Sequence, residues 1–297
     1  MNYKFTFVVL HYVTIEDTIE CVNSILNNID YDNYHIIIVD NGSPNKSGEL
    51  VIEKFQNNPK IKIILSEKNL GFAQGNNLGF KFAKYELNSD FISLINNDTI
   101  IEQKDFVKRI INEYENKKFH ILGPDILSTK DGIHQNPRKL TLQNEIELRW
   151  LIKVYYVKLF LNYFLLDDII EKTKKKIFTK TWIKTGEDYT PPWEEKRENV
   201  KLHGSALVFS RDYIELYEGL YPKTFMHSEE AIIYFIVKRD KLRTVYSPEI
   251  KILHKEDSST EAIYNKGFRK RRFYYKNFIK SGKAFLELIE ETKQNGK

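Results

Sequence analysis

The side chains best suited to bind a metal follow an apolar run. Residues 91–95 read Phe-Ile-Ser-Leu-Ile, and Asn96, Asn97 and Asp98 come directly after them. Such a run is typical of a buried strand, and open α/β sheets bind ligands at the carboxyl ends of their strands. Carboxylate oxygens suit Mg²⁺ or Mn²⁺, which can in turn hold a diphosphate. The pattern predicts that Asp98 binds a metal and Asn97 a sugar or diphosphate, and the alternative for Asp98 is a helix cap.

A pair of acids later in the chain is the candidate for proton transfer. Ser228 can cap a helix, and Glu229 and Glu230 would then lie in its first turn, where the helix dipole stabilises ionised carboxylates. An ionised carboxylate in a cleft can act as a general base, although electrostatic stabilisation of the helix start is the alternative. His254 ends an apolar segment and could bind the same metal as Asp98, or only form a hydrogen bond.

Two further segments could bind the remainder of a nucleotide. Asp40-Asn41-Gly42-Ser43 follows an apolar run, and a carboxylate there can accept hydrogen bonds from a base or a ribose, although many such sequences are only turns. Residues 69–79 read NLGFAQGNNLG, and the start of a helix there could offer N–H groups to a phosphate. The alternative is close packing of a helix on a sheet through Gly75 and Gly79. The spacing matches neither G-x-G-x-x-G nor a P-loop, which argues against a dinucleotide or ATP site.

These segments must be brought together by an alternating α/β framework. The apolar runs predict strands at 5–10, 35–39, 61–65, 91–95, 119–122, 204–210, 243–247 and 250–254. Helical periodicity predicts helices from residue 15 and at 48–56, 74–85, 104–116, 145–166, 211–217 and 228–239, with a long loop at 182–199. Gly123-Pro124 is expected to stop the fifth strand. The alternation predicts a mainly parallel, doubly wound α/β sheet flanked by helices, with Asp40 and Asp98 at one edge.

The composition of the chain excludes some classes of protein and indicates where in the cell the protein is found. The chain has 297 residues, of which 41% are hydrophobic, and it carries a single cysteine, Cys21. One cysteine excludes an intramolecular disulfide and a cysteine zinc cluster, and its place in a helical pattern indicates a core residue rather than a nucleophile. The N-terminal residues show no signal-peptide pattern. We therefore expect a cytoplasmic protein.

Two segments are candidates for contact with a membrane. Residues 145–166 are apolar but too interrupted by charge to span a bilayer, which predicts an amphipathic helix or helical hairpin that packs on the core or touches a membrane. Residues 266–283 contain eight cations and no acid, interleaved with aromatic residues. This run suits an anionic membrane at the inner face of the cell, a nucleic acid or only solvent. We expect that the partner is not a nucleic acid, which leaves the membrane and solvent as alternatives.

Taken in order, these motifs resemble the family-2 glycosyltransferases with the GT-A fold. The shared features are the turn at 40–43, the block at 69–79, Asn-Asn-Asp at 96–98, Gly-Ser-Ala at 204–206, the paired acids and the late His254. The resemblance is close over residues 5–130 and looser over 203–256. Within the family, the sequence is similar to the branch that includes rhamnosyl- and galactofuranosyl-type enzymes of bacterial surface polysaccharides.

The resemblance implies a role for each matching residue. Glu230 would be the base, with Glu229 as the alternative, and Asp98 and His254 would hold Mn²⁺ or Mg²⁺. The implied donor-binding residues are His11, Asp40, Asn69, Asn76, Asn77, Asn97 and Asp98. The chain departs from the pattern at Asn96, which replaces the first acid of the metal motif, and at Glu230, which replaces an aspartate; His203 has no counterpart.

The function that the resemblance implies is an inverting hexosyl or deoxyhexosyl transfer. The donor would be a nucleoside-diphosphate sugar of the UDP or dTDP type, and the acceptor a saccharide or a lipid-linked saccharide in the synthesis of a capsule or O-antigen-like polysaccharide. We expect residues 1–140 to bind the donor and 203–256 to serve the acceptor and catalysis. The resemblance does not cover 141–202, expected as a helical insertion that faces the acceptor or a membrane, or 257–297, expected as a basic helical extension. Because Asn-Asn-Asp is a weakened metal motif, a degenerate nucleotide-sugar-binding or scaffold protein is the alternative. A nucleotidyltransferase would need a basic glycine-rich loop, which residues 11–14 do not supply.

Overall fold

The computed structural model describes residues 2–138, 144–167, 192–256 and 267–295. Its strands are β1 (Phe5–His11), β2 (Tyr34–Asp40), β3 (Ile61–Leu65), β4 (Phe91–Asn96), β5 (Thr99–Ile100), β6 (Ile121–Ser128), β7 (Arg197–Glu198), β8 (Ala206–Ser210) and β9 (Thr244–His254). Its helices are α1 (Ile15–Asn28), α2 (Ser47–Phe55), α3 (Gly71–Tyr85), α4 (Phe106–Lys117), α5 (Glu145–Tyr163), α6 (Arg211–Leu216), α7 (Glu229–Arg239) and α8 (Gly267–Asn295). The part of the predicted loop 182–199 that precedes residue 192 lies outside the described residues.

One mixed sheet organises the molecule, in the order β3-β2-β1-β4-β8-β6-β9-β5, with β7 paired to β9. The strands β3, β2, β1 and β4 are parallel, whereas β8 runs antiparallel to both of its neighbours, β4 and β6. The prediction of an α/β sheet flanked by helices is confirmed. The consecutive strand–helix units form its parallel half, and β6 and β9 are a further parallel pair. In the other half, β8 follows the segment that contains α5 rather than a single crossover helix, and it enters the sheet in the opposite direction.

The sheet is buried on both faces, and the strand residues alternate between two apolar clusters. On β1, Phe5, Phe7 and Val9 point to the cluster beneath α1 and α4, whereas Val8 points to the other side. The second cluster includes residues from α3, α5, α7 and α8. Burial on both faces explains why the strands read as continuous apolar runs rather than alternating ones.

Two predicted boundaries are wrong. The strand expected to stop at Gly123-Pro124 continues to Ser128, because pairing with β8 ends at Leu122 and the missing N–H of Pro124 therefore breaks no hydrogen bond on that side. The two extended pieces expected at 243–247 and 250–254 form the single strand β9. The interruption between them is a bulge, since Pro124 pairs with Ser247 but the next residue, Asp125, pairs with Lys251.

A pair of helices, α5 and α8, covers the second apolar cluster. Leu148 and Ile152 of α5 are buried against α8, and a Cβ atom at Gly282 would lie 3.0 Å from Cγ1 of Ile152. Gly282 therefore allows the two helices to approach closely. Among the residues that the structure describes, no helix combines the length and the apolar character that crossing a bilayer requires.

Candidate active site

The carboxyl end of the sheet brings Asp98 and His254 together. Asp98 lies in the turn between β4 and β5, and β5 pairs with the end of β9 so that Thr99 is opposite His254. The backbone N–H of Lys255 donates to the carbonyl of Asp98 at 2.9 Å. As a result, Nε2 of His254 lies 3.2 Å from Oδ1 of Asp98, and both side chains are buried. The strand pairing thus joins two residues that are far apart in the sequence.

The tautomer of His254 is set by Gln135. Nδ1 of His254 lies 2.8 Å from Oε1 of Gln135, and the amide nitrogen of Gln135 donates to Glu256. Because an amide oxygen only accepts, Nδ1 carries the proton, and the lone pair of a neutral His254 is on Nε2. That lone pair faces an oxygen of Asp98.

This arrangement fits a divalent cation. A carboxylate oxygen and an imidazole nitrogen 3.2 Å apart are both ligand types of divalent cations, and one cation could be shared between them. In metal sites, the second ring nitrogen of a histidine ligand usually donates to a carboxylate or a carbonyl group, which fixes the ring and its tautomer. Within the described ranges, no group of three or more His, Cys, Asp or Glu side chains forms a complete protein cage. The remaining coordination positions would therefore belong to substrate or water, as is common for Mg²⁺.

Glu230 is held in its ionised form at the start of α7. Its Oε1 accepts from the N–H of Gly204 at 2.9 Å, and Arg138 approaches both carboxylate oxygens, at 3.3 and 3.4 Å. Burial raises the pKa of Glu230, but His203 in its protonated form, the Arg138 guanidinium and the Gly204 N–H outweigh burial and hold the pKa below its usual value. Glu230 is therefore a carboxylate at neutral pH, as a general base must be.

Glu229, next in the chain, has the opposite environment. Its side chain is buried, and burial raises its pKa to about 7. The two acids are in the first turn of α7, as predicted, but Ser228 does not cap that helix. Ser228 has a φ of 73° and makes no side-chain cap hydrogen bond. The predicted cap is wrong because this left-handed backbone differs from the extended conformation of a capping residue.

His203 connects the acid pair to the Asp98–His254 pair. Its Nδ1 accepts from the N–H of Ser205 at 3.0 Å, so a neutral ring carries its proton on Nε2, which lies 3.9 Å from Oε1 of Glu230. Its ring centroid is 5.8 Å from that of His254. Burial lowers the pKa of His203 to about 4, so that this ring is neutral under ordinary conditions.

A cavity of about 460 Å³ opens beside these groups. Its polar wall includes Asn96, Arg138, His203, Glu229 and Glu230, and its apolar wall includes Phe72, Tyr274 and Phe278. The aromatic rings of α8 therefore form part of the cavity that contains the acid pair. A space of this size, lined by rings and a few convergent polar groups, suits a small organic ligand such as a sugar.

Asp40 lies at the end of β2, and the buried ring of His11 lies between it and the side chains next to Asp98. Oδ1 of Asp40 accepts from the hydroxyl of Ser43 at 2.5 Å and lies 3.8 Å from Nε2 of His11. Nδ1 of His11 is 2.6 Å from Oγ1 of Thr18, which accepts in turn from the amide of Asn97 at 3.0 Å. Hydrogen bonds thus run from His11 through Thr18 to Asn97, the residue before Asp98, whereas Asp40 lies near His11 but beyond hydrogen-bond distance.

The ring of His11 is fully buried, and its pKa is lowered by burial although Asp40 opposes the shift. Each ring nitrogen is within hydrogen-bond distance of a hydroxyl, Thr18 on one side and Ser47 on the other at 2.8 Å. In this arrangement both ring nitrogens of His11 are already within hydrogen-bond distance of hydroxyl groups, so the ring has no free nitrogen for a nucleotide-sugar donor. His11 can act on a donor only through Asp40.

Residues 69–79 mostly build the interface between α3 and the sheet. The N–H groups of Leu70, Gly71 and Phe72 donate to Asn41, Asn69 and the carbonyl of Phe225. The start of α3 therefore does not leave these three N–H groups for a phosphate, as one interpretation of the sequence expected. A Cβ atom at Gly79 would lie 2.4 Å from Cγ1 of Val8, and one at Gly75 would lie 2.8 Å from Cδ1 of Leu10. The glycines allow close packing of the helix, which was the alternative.

The three predicted asparagines of this segment have different surroundings. Oδ1 of Asn69 accepts from the N–H of Gly71 at 2.8 Å. Asn77 donates to the carbonyl of Leu220 at 2.8 Å and accepts from its N–H at 2.7 Å, so its amide is fully used by backbone. Asn76 donates to the carbonyl of Phe72, but its buried Oδ1 has no partner among the described residues. Of the three, Asn76 has an amide oxygen available to a ligand.

Three site residues were missed as candidates: Gln135, Arg138 and His203. Gln135 and Arg138 follow β6 beyond the point where the strand was expected to stop, so their return to the sheet edge was not visible. His203 was noticed beside Gly204 but had no role in the sequence pattern. The signal that could have found it is its position directly before the strand β8, whose N-terminal end lies beside the end of β4, where Ala206 pairs with Ile95.

A strand-end carboxylate, a late histidine and an acid at a helix start, carried on this sheet, define a GT-A-type glycosyltransferase fold. The model of the family described as Glycosyl transferase family 2 matches residues 6–177, more than half of the chain. The chain belongs to this family, which confirms the resemblance seen in the sequence.

Curated relatives and a solved structure agree with this assignment. The glycosyltransferase GlyG of Streptococcus pneumoniae serotype 4 is 32% identical over 103 residues, which are 35% of this chain and 33% of GlyG. The poly-beta-1,6-N-acetyl-D-glucosamine synthase of Staphylococcus aureus is 36% identical over 90 residues, 30% of this chain and 20% of the synthase. The match thus spans a third or less of these relatives. The crystal structure of S. aureus TarS 1–349 aligns with a TM-score of 0.51 at 13% identity, over 85% of this chain and 60% of that one, and supports the fold.

Proposed function

We propose that the protein is an inverting, metal-dependent glycosyltransferase. It would transfer a hexosyl or deoxyhexosyl group from a nucleoside-diphosphate sugar, of the UDP or dTDP type, to a saccharide acceptor in the synthesis of a capsule or O-antigen-like polysaccharide. The observation that carries the proposal is the continuity from Asp98 through His254 and His203 to Glu230. Glu230 lines the cavity, and Asp98 and His254, which would bind the metal, lie next to it through His203.

The donor would occupy the sheet edge between Asp40 and Asp98. Asp40 would contact the nucleoside, Asn76 and Asn97 the sugar or diphosphate, and Asp98 and His254 would hold Mn²⁺ or Mg²⁺. His11, Asn69 and Asn77 would support this site by fixing Asp40, the start of α3 and the loop at Leu220. A divalent cation bound there supplies positive charge that stabilises the departing diphosphate.

The acceptor would occupy the cavity that Glu230 lines. Glu230 takes the proton of an acceptor hydroxyl, and that oxygen bonds to the anomeric carbon as the bond to the diphosphate breaks on the opposite face. Attack opposite to the leaving group inverts the configuration. Arg138 and the Gly204 N–H keep Glu230 ionised and fix its direction. Glu229 is the alternative base, since its pKa of about 7 is close to the pH of the cytoplasm.

The division of the chain follows this assignment. Residues 1–140 would bind the donor and 203–256 would carry the acceptor site and the base. The insertion at 141–202 and the extension at 257–297 contribute the paired helices α5 and α8, and Tyr274 and Phe278 of α8 line the acceptor cavity. An acceptor carried on a lipid would be reached at the inner face of the cell membrane, with the protein bound there peripherally.

The test is sugar transfer with Mn²⁺ present. A panel of nucleoside-diphosphate sugars is screened for release of the nucleoside diphosphate, and Glu230→Gln is compared with Glu53→Gln, a change at an exposed acid of α2. We expect Glu230→Gln to lose turnover and keep donor binding, and Glu53→Gln to behave as the wild type. Equal loss of donor binding and turnover in Glu230→Gln would give Glu230 a structural role.

A second candidate function is a nucleotide-sugar-binding or scaffold protein without turnover. It is favoured by Asn96, an amide at the place where the family has the first acid of its metal motif. The test is whether the protein binds a nucleotide sugar in a metal-dependent way and yet never releases its sugar. That result with every donor tested, and with saccharide acceptors present, would support this function over the enzyme.

A further inference from the structure

The helix α5 has apolar side chains on two opposite faces. Its inner face, with Leu148, Ile152 and Leu159, packs against the second apolar cluster. Its outer face consists of side chains spaced by four, seven, three and four residues, which places them in one row on the helix. We call this row the α5 seam: Ile146, Trp150, Val157, Phe160 and Phe164.

The α5 seam is open to solvent. Ile146 is 80% exposed, Phe160 is 63% exposed, and the other three members exceed half exposure. Exposed large apolar residues that stand alone are ordinary on soluble proteins, but a contiguous row of five, two of them phenylalanine and one tryptophan, marks a surface that contacts something.

Positive charge borders the α5 seam. Lys153 occupies the gap in the row between Trp150 and Val157 and is exposed. Along one flank, Nζ of Lys283 lies 5.3 Å from the ring centre of Tyr156, and Nζ of Lys276 lies 5.7 Å from that of Tyr163. Both tyrosines are themselves exposed. The seam is therefore an apolar row with cations and tyrosines at its edge.

Acids are absent from this part of the two helices. Residues 150–166 and 267–286 contain no Asp or Glu. Two cations of the basic run have structural roles, since Nε of Arg271 donates to Asp167 at 2.7 Å and Nε of Arg272 donates to Asn162 at 2.8 Å. Lys276 and Lys283 remain at the border of the seam and make it positively charged from Trp150 onward, whereas Glu145 and Glu147 flank Ile146 at its start.

This charge distinguishes between two possible occupants. A second copy of the chain packed seam to seam would place lysines opposite lysines, which opposes association. A bilayer that contains anionic lipids is complementary, because tryptophan and phenylalanine insert at the boundary of the acyl chains while lysine and tyrosine remain at the headgroups. The negative surface potential attracts each cation near it.

We propose that the α5 seam and its lysine border form a docking surface for an anionic membrane. The seam lies parallel to the bilayer with its apolar side chains at the boundary of the acyl chains, and Lys153, Lys276 and Lys283 meet the lipid phosphates. This inference rests on the proposed function only for its biological purpose, namely access to a lipid-linked acceptor. Binding to vesicles needs no turnover, so its failure would leave the transfer chemistry untouched.

The experiment is co-sedimentation of the full chain with vesicles of phosphatidylcholine alone and of phosphatidylcholine mixed with phosphatidylglycerol. We expect binding to the anionic vesicles that weakens as salt is raised. The variant Trp150→Ser with Phe160→Ser should bind at least about tenfold more weakly, because two large side chains no longer leave water. The control is Leu50→Ser with Leu216→Ser, which removes apolar side chains of comparable exposure from α2 and α6.

A second measurement locates the contact. Brominated phosphatidylglycerol should quench tryptophan fluorescence in the wild type and much less in Trp150→Phe. Failure of the wild type to bind anionic vesicles, or an equal loss of binding in the control, would overturn the proposal. So would a dimer in solution that Trp150→Ser with Phe160→Ser dissociates while vesicle binding stays unchanged.

Discussion

Oδ1 of Asp98 and Nε2 of His254 lie 3.2 Å apart, although 155 residues separate them in the sequence. The pairing of β5 with β9 produces this contact, and Gln135 turns the lone pair of His254 toward the carboxylate by accepting from Nδ1. We propose that a divalent cation is shared by these two side chains. The contact is the basis for placing a metal at this edge of the sheet.

The role of Gln135 predicts the effect of removing its amide. In Gln135→Leu, His254 loses the acceptor that sets its tautomer, and we expect Mn²⁺ affinity to fall by about 10- to 100-fold. Titration calorimetry with Mn²⁺ in the presence of a nucleoside diphosphate measures this affinity. The control is His134→Gln, which changes the neighbouring residue and removes its contact with Asp125 at 2.7 Å. If both variants bind Mn²⁺ as the wild type does, Gln135 has no part in the metal site.

The opposite pKa shifts of the acid pair predict which one acts as the base. A base must be deprotonated, so activity is lost as the pH falls through its pKa. If Glu230 is the base, its lowered pKa lets activity persist below neutral pH, and Glu229→Gln leaves the acidic limb of kcat/KM unchanged. If Glu229 is the base, activity falls below about pH 7 and Glu229→Gln abolishes it. The proposal predicts the first result, and loss of all activity in Glu229→Gln would contradict it.

Glu229 also predicts how stability depends on pH. Its folded-state pKa of about 7 exceeds the usual value of 4.5, so the folded protein binds the proton more tightly and loses stability as the pH rises between these values. The loss amounts to about 3 kcal/mol from this group. We expect the Tm of Glu229→Gln to exceed that of the wild type at pH 8 by more than at pH 5. If the Tm difference between Glu229→Gln and the wild type is the same at pH 5 and at pH 8, the pKa of Glu229 is not raised.

Asp40 should affect nucleoside recognition without affecting the metal. A nucleoside monophosphate such as UMP or dTMP, tested without metal, is the probe that separates these roles. We expect Asp40→Ala to weaken its binding by about tenfold, as for the loss of a hydrogen bond to a charged group. Asp98→Asn should bind the monophosphate as the wild type does. Wild-type affinity in Asp40→Ala would remove Asp40 from the donor site.

Much of the donor half of the fold could be predicted from the sequence, because each strand is a short apolar run that ends at a polar residue. Asp40 and Asp98 were expected at one edge, and parallel pairing in register, with His11 opposite Asp40 and Leu10 opposite Asn96, places both strand ends there. Local sequence was enough in this half because each strand, helix and next strand forms one compact unit.

The remaining part depended on contacts that local patterns do not encode. Gly123-Pro124 indicates a break, but β6 continues because it pairs with β9 as far as Ser128, whereas its pairing with β8 ends at Leu122. This continuation brings Gln135 and Arg138 to the site. Ser228 has the right type for a cap, but its backbone is left-handed. The environment of Glu230 is set by His203 and Arg138 from distant segments, and that of Glu229 by burial. Such neighbours become visible only once the chain is folded.

The central claim, that Asp98 and His254 form the metal site of a sugar-nucleotide enzyme, is tested most directly by the binding of a nucleoside diphosphate with and without Mn²⁺. Titration calorimetry compares the wild type with Asp98→Asn and His254→Ala, using UDP and dTDP. We predict that Mn²⁺ strengthens binding to the wild type and that each variant loses this gain while it keeps the metal-independent affinity. Equal Mn²⁺-dependent gains in the wild type and in both variants would contradict the claim.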